Sequence, residues 1–116
     1  MIDTPMMRVL GRFLDVNSFR HTLIVSNMAN IDTPGYRTRD VNFAAELRRV
    51  TGVAEYAAFT PSSVQVQGLL ERPDRNNVSL EREGLLLAET QLRYRIGIEL
   101  LRSEFRKLSV AINEGK

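Results

Sequence analysis

The amino-acid sequence predicts a mainly α chain. Long N- and C-terminal helices pack as a coiled-coil-like hairpin, joined by an irregular middle segment. Three observations predict it. Apolar residues recur at helical spacing from Met6 to Asn30, and again over a longer run from Ser79 to Asn113. Between these runs, Gly52, Pro61, Gly68 and Pro73 punctuate a stretch without sustained periodicity. At 116 residues the chain reads as a single domain: helix 6–30, turn motif and middle segment 31–78, helix 79–113.

Two seams run along the first helix. One is Met6, Val9, Phe13, Val16, Arg20, Leu23, Asn27, Asn30; the other, shifted by one, is Met7, Leu10, Leu14, Asn17, His21, Ile24, Met28, Ile31. At ~100° per residue the combined apolar face exceeds half the circumference. The clean polar stripe is only Arg8, Asp15, Ser18, Thr22 and Ser26. Such a helix must be buried against more than one neighbour. A chain this short offers one inside, so the remainder are expected to be other subunits.

The helix stops at Asn27-Met28-Ala29-Asn30-Ile31-Asp32-Thr33-Pro34-Gly35. Pro34 cannot continue it and pushes Thr33 towards an extended conformation. Pro34-Gly35 reads as a turn with Gly35 at positive φ. Tyr36 follows as an amphipathic anchor, expected to enter a neighbouring helix groove. Asn27 and Asn30 share one face and can cap carbonyls or bond across to the last helix.

In the middle segment, Asn42 or Asp40 can cap a short helix through Phe43, Leu47 and Val50. Ser62–Leu70 alternates partially and reads as extended chain or a short strand. A connection this long is unusual inside a self-contained domain and is expected to serve as an arm that orders on a neighbouring subunit.

The last helix has the clearest pattern. Its seam is Leu80, Gly84, Leu87, Gln91, Tyr94, Ile98, Leu101, Phe105, Leu108, Ile112, with eight of ten positions apolar. Asn76, Asn77 or Ser79 supplies the cap, and Glu81 and Glu83 suit the first turn. Glu89–Arg93, Glu99–Arg102 and Glu104–Lys107 are spaced to pair. Gly115 is the expected terminator. Of the interior glycines Gly84 and Gly97, Gly84 lies on the seam and is the candidate for close helix approach.

Composition narrows the function classes. The chain is 43% hydrophobic and 26% charged, which suits neither a disordered nor a membrane-embedded chain. No apolar run approaches the ~20 residues of a membrane span. Asp3 and Pro5 occupy the place of a basic leader, so no cleaved signal peptide is expected. There is no cysteine, hence no disulfide or thiolate metal site. The formal charge is only +2, and the basic pairs Arg48-Arg49 and Arg106-Lys107 stand among glutamates, unlike the concentrated charge of a nucleic-acid binder. His21, the single histidine, has no partners at metal spacing and reads as an interface or surface residue. No nucleophile constellation or phosphate loop is present, and the carboxylates sit among arginines as salt-bridge partners. Neither catalysis nor a cofactor or metal is expected.

The string SNMANIDTPGYRTRDVNFAAEL, Ser26 to Leu47, closely resembles the N-terminal signature of bacterial flagellar rod and hook proteins, the axial proteins of the flagellum. Tyr36-Arg37-x-Arg39-Asp40-Val41-x-Phe43, running on to Glu46-Leu47, looks most like the proximal rod subunits. DRNNVSLERE, Asp74 to Glu83, and the stretch from Gln91 to Lys116 are similar to the C-terminal helix of the same proteins. The resemblance covers both ends; 48–73 matches nothing in it. Arg75 stands where the family tends to have Gly, and Ser79 where an acidic residue is usual.

The resemblance implies a non-catalytic structural subunit that polymerises helically into the proximal rod, transmits torque and forms the export channel. Its implied partners are copies of itself, other rod proteins, the export apparatus and the inner-membrane ring. No nucleic acid partner and no membrane insertion are implied. The implied location is the periplasmic rod of the basal body, reached by type III export. The expected assembly interface is Phe13, Leu23, Asn27, Asn30, Thr33, Pro34, Gly35 and Tyr36, with Tyr94, Ile98, Leu101, Phe105 and Leu108 of the last helix. Two alternatives compete: a small helical nucleic-acid-binding protein, marked by steeply salt-dependent DNA binding, and an export chaperone or adaptor, marked by small cytoplasmic oligomers.

Overall fold

A computed structural model describes residues 4–52 and 60–115 of the chain. Five elements follow in order: α1 (Pro5–Ala29), β1 (Arg39–Asp40), α2 (Phe43–Gly52), β2 (Val64–Gln65) and α3 (Leu80–Glu114). The fold is mainly helical, with the two terminal helices packed together as the sequence predicts.

Capping chemistry sets the helix ends. Thr4 Oγ1 accepts the Met7 N–H at 3.1 Å, and Pro5 occupies the first helical position, where no N–H is needed. At the other end Asn30 Nδ2 donates to the Ser26 carbonyl at 2.8 Å, satisfying a terminal acceptor. Asn42 caps α2, its Oδ1 accepting from Ala45 N–H at 3.1 Å. The other candidate for that cap, Asp40, is engaged in ion pairs instead. Ser79 Oγ caps α3 by accepting from Arg82 N–H at 3.3 Å. Gly115 ends α3 with φ −75°, so the stop there needs no left-handed residue.

The long helices are antiparallel. Asn27 meets Glu83, Arg20 lies near Glu89, and Phe13 and Leu14 lie against Gly97. In that register Thr4 stands opposite about residue 106, so the last turns of α3 run past the start of α1. The molecule extends 68 × 27 × 19 Å, an elongated shape set by the 35-residue α3. Among the described residues no helix is long and apolar enough to cross a membrane.

The contact line between the helices departs from the expected seam. On α3 the buried residues are Glu83, Thr90 and Gly97, each one position before Gly84, Gln91 and Ile98. The apolar seam therefore flanks the intrachain contact instead of filling it. Gly84 is open to solvent, with nothing within 4 Å of a built Cβ. The close-approach glycine is Gly97: a Cβ there stands 2.7 Å from Leu14 Cδ2 and 3.1 Å from the Phe13 ring. Heptad position points to Gly84 because it identifies an apolar line, whereas space is taken by whichever line faces the partner helix, here that of Gly97.

The apolar core is Met7, Leu10, Val16 and Ile24 of α1 with Val41 and Val78. Phe43 of α2 sits between the helices, edge-on to Phe13 (centroids 5.7 Å apart, planes at 82°) and beneath Arg93, whose guanidinium is 4.6 Å from its ring centroid. β1 and β2 pair antiparallel, Arg39 opposite Gln65 and Asp40 opposite Val64. Buried Glu46 accepts from Ser62 Oγ at 2.9 Å and Arg49 Nη1 at 2.7 Å. Thus the described part of the middle segment is tied to its own chain, not held out as an arm. Residues 53–59, and the Val50 side chain assigned to the short helix, lie outside the described residues.

Candidate assembly interface

The turn after α1 is built by two segments that lock each other. Thr33 accepts the Tyr36 N–H at 3.2 Å around Pro34 and Gly35, with Gly35 at φ +75°. Gly35 N–H in turn donates to the Asp74 carbonyl at 2.8 Å. Asn76 Nδ2 donates to the carbonyls of Asn30 and Thr33, both at 2.9 Å. Asn77 Oδ1 accepts Thr38 N–H at 2.7 Å, and Arg72 donates to the Ile31 carbonyl. Residues 72–78 thereby satisfy carbonyls that follow the end of α1 and amides of the turn and the segment after it. Arg75 has φ +70°, a conformation that favours glycine, in the turn where the resembling family tends to carry one.

Tyr36 is half-buried, with its hydroxyl turned to its own chain. Its hydroxyl donates to Asn27 Oδ1 at 3.0 Å and lies 3.3 Å from Ser26 Oγ, both on its own first helix. The hydroxyl end of the expected anchor is thus taken by a buried asparagine nine residues earlier in the same chain, and the ring is left half-buried. Asn27 is the hub. Its Nδ2 donates to Glu83 Oε1 at 2.5 Å and to the Arg39 carbonyl at 2.8 Å, while its Oδ1 also accepts Arg39 N–H at 3.2 Å.

An ionic layer continues from there. Arg82 Nη1 donates to Glu83 Oε2 and Arg82 Nη2 to Asp40 Oδ2, both at 2.7 Å. Arg20 forks onto Asp40 at 2.9 and 3.0 Å. Burial pushes the Asp40 pKa up. The Arg20 bond, the Val41 N–H, the Arg20 charge and the Arg82 bond together outweigh it and hold the carboxyl below its ordinary value. Of the signature residues, Asp40 thus joins α1 to α3 through Arg20 and Arg82, while Arg39 ties Asn27 of α1 to Ser63.

The expected interface residues divide into three sets. Asn27, Asn30, Tyr36 and Phe13 are used inside the chain. Thr33, Pro34 and Gly35 form an exposed corner held rigidly from beneath. Tyr94 and Phe105 are exposed on α3, while Leu23, Ile98, Leu101 and Leu108 are half-buried along its length and that of α1. Sequence reasoning missed Glu83, Thr90, Gly97, Asp40 and Arg82 as the contacts that hold the pair. The available signal was their own heptad spacing at 83, 90 and 97, hidden because these residues are not apolar. His21 lies exposed beside the groove between the long helices.

What this arrangement defines is an elongated structural subunit. Its polar interior fixes one helix register, and large apolar side chains are left on the surface of the long helix. Comparison with known proteins gives the class a family. The chain is 31% identical to the flagellar basal body rod protein FlgB of Salmonella typhimurium, over 94% of both chains. It is 34% identical to the FlgB of Cereibacter sphaeroides, over 90% of this chain and 91% of that one. The FlgB of Borrelia hermsii is 28% identical over 87% and 90%. No family model matches the chain. The chain belongs to the flagellar basal body rod protein FlgB family.

Proposed function

We propose that this chain is a non-catalytic subunit of the flagellar basal body rod that polymerises helically into its proximal part. There it transmits torque and lines the export channel. Its neighbours are further copies, other rod proteins, the export apparatus and the ring in the inner membrane. It reaches the periplasmic rod through the flagellar type III route. Membership of the FlgB family supports the basal-body assignment.

One observation supports the polymer. Leu85, Leu92, Tyr94, Ile96, Leu100, Phe105, Val110 and Ile112 are all exposed on a single helix. A lone subunit would present them to water, whereas stable monomers seldom expose contiguous apolar surface beyond a few hundred Å². Heterologous contacts repeated by a non-closing rotation cover such surfaces and generate a filament. Basal bodies purified from cells lacking this chain test the reading. The account expects rings without a rod, and restoration by the wild-type gene; an intact rod would refute it.

A further inference from the structure

The loop that braces the Thr33-Pro34-Gly35 corner carries two side chains the fold does not use. Arg72 N–H donates to the Asn76 carbonyl at 2.9 Å, and Arg75 N–H to the Arg72 carbonyl at 2.8 Å, which closes residues 72–76 into a tight turn. Asp74 Oδ1 accepts the Asn76 N–H at 3.0 Å, and Arg37 Nη1 donates to the Arg75 carbonyl at 2.8 Å. The conformation is therefore fixed by its neighbours. Leu70 stands just before this turn and Arg75 at its end, so the two emerge from neighbouring backbone.

Leu70 is 94% exposed, more than any other large apolar side chain among the described residues. Arg75 is exposed and holds φ +70°, which a glycine would take without strain. The arginines around it have carboxylates: Arg37 lies 3.3 Å from Glu71, and Arg72 lies 4.0 Å from Asp74. The Arg75 guanidinium has neither a hydrogen bond nor an ion pair among the described residues. The fold thus bears a strained backbone for a side chain that holds nothing inside the subunit. An outlier of this kind points to a role outside the chain. Arginine is among the residue types that most often anchor interfaces, and Leu70 sets an apolar contact beside its charge.

We propose that Leu70 and Arg75 form a docking surface for a different protein, one that offers an apolar pocket edged by a carboxylate. A second copy of the chain does not suit it. The groove beside the α1–α3 pair sets one carboxylate, Glu99, against Arg95 and Arg102. The groove near the end of α3 sets Glu114 against Arg106 and Lys107. An arginine brought to either meets an excess of like charge. The proposal rests on the rod reading and adds a contact between unlike proteins, made at the turn and not along the long helices.

Competition in the cell tests it. Wild-type and variant chains are expressed together at equal levels, and their ratio in purified basal bodies is read by mass spectrometry. Arg75→Gly should enter roughly tenfold less than wild type, as for the loss of one anchoring arginine, while being no less stable in urea. Leu70→Ser should also enter less, with unchanged stability. Arg75→Glu should fall below Arg75→Gly, because it sets like charges together. In sedimentation velocity the purified variants should self-associate as wild type does. Entry of Arg75→Gly or Leu70→Ser at parity with wild type overturns the proposal, as does equal entry of Arg75→Gly and Arg75→Glu. Loss of stability in Arg75→Gly would remove the strain argument and overturn it as well. A variant with altered self-association would show that the surface meets a second copy, which also overturns it. Absence of the wild-type chain from basal bodies would instead remove the rod reading, and this contact with it.

Discussion

Asn27 and Glu83, both wholly buried, meet at 2.5 Å across the helix pair. The same asparagine holds Tyr36 and both backbone groups of Arg39, so the end of α1, the turn and the start of α3 share one junction. Asn27→Leu would strand the Glu83 oxygen and the Arg39 groups without partners. Leaving buried groups unsatisfied costs about 1–3 kcal/mol each, so a total near 3 kcal/mol is expected. Ser26→Ala, which touches only the tyrosine hydroxyl, should cost about 0.5 kcal/mol. Urea denaturation of the two variants measures the difference.

Gly97 and Gly84 should respond in opposite directions. Gly84 faces open space, so Gly84→Ala gains helix propensity and stabilises by about 1 kcal/mol. A leucine at Gly97 must displace Leu14 and the Phe13 ring, and overpacking of that kind costs about 3 kcal/mol. Thermal melts of Gly84→Ala and Gly97→Leu check both signs.

The turns should discriminate by backbone conformation. Gly35 at φ +75° meets no obstacle to a side chain, so its constraint is backbone strain alone. Gly35→Val should therefore be worse than Gly35→Ala, since a β-branched residue is least tolerant of positive φ. Arg75, at φ +70°, is the converse case. Arg75→Gly relieves roughly 1–2 kcal/mol of left-handed strain, partly offset by the entropy of a more flexible unfolded chain. A net gain of about 0.5–1 kcal/mol in urea melts is expected.

Asp40 should dominate the acid limb. Its folded pKa is depressed below the unfolded value of about 3.9. The unfolded chain therefore binds the proton first as pH falls. The stabilisation is fully present above about pH 4 and drains away as pH drops through the folded pKa. Asp40→Asn should lower stability at neutral pH by roughly 3 kcal/mol, because Arg20 and Arg82 lose their shared carboxylate. It should also flatten the loss of stability below pH 4. A variant whose acid limb matches wild type would show that another carboxylate controls it.

Much of the fold is legible in the sequence because helix periodicity and caps are local. The bounds of α1 and α3, the Ser79 and Asn42 caps and the Glu89–Arg93, Glu99–Arg102 and Glu104–Lys107 pairs all follow from spacing within a few residues. The contact between the helices is another matter. Reading apolar positions as the core selects Gly84 and Gln91, whereas the buried positions are Glu83 and Thr90 one residue earlier. That shift pays off only because Asn27, Arg20 and Arg82 meet the buried carboxylates, and pairings between positions 20, 40 and 82 leave no trace in local spacing. The bond from Tyr36 to Asn27 is hidden for the same reason. The cluster Asn27, Asn30, Asn76 and Asn77 was the one available hint of a buried amide network.

The most direct measurement is imaging of purified basal bodies at side-chain resolution. The account predicts this chain in the central axis at the base of the rod, its α1–α3 pair roughly along the axis and the α3 flanks covered by neighbouring subunits. Finding the axis built without it, or the chain only at the cytoplasmic face as a soluble adaptor, would contradict the account.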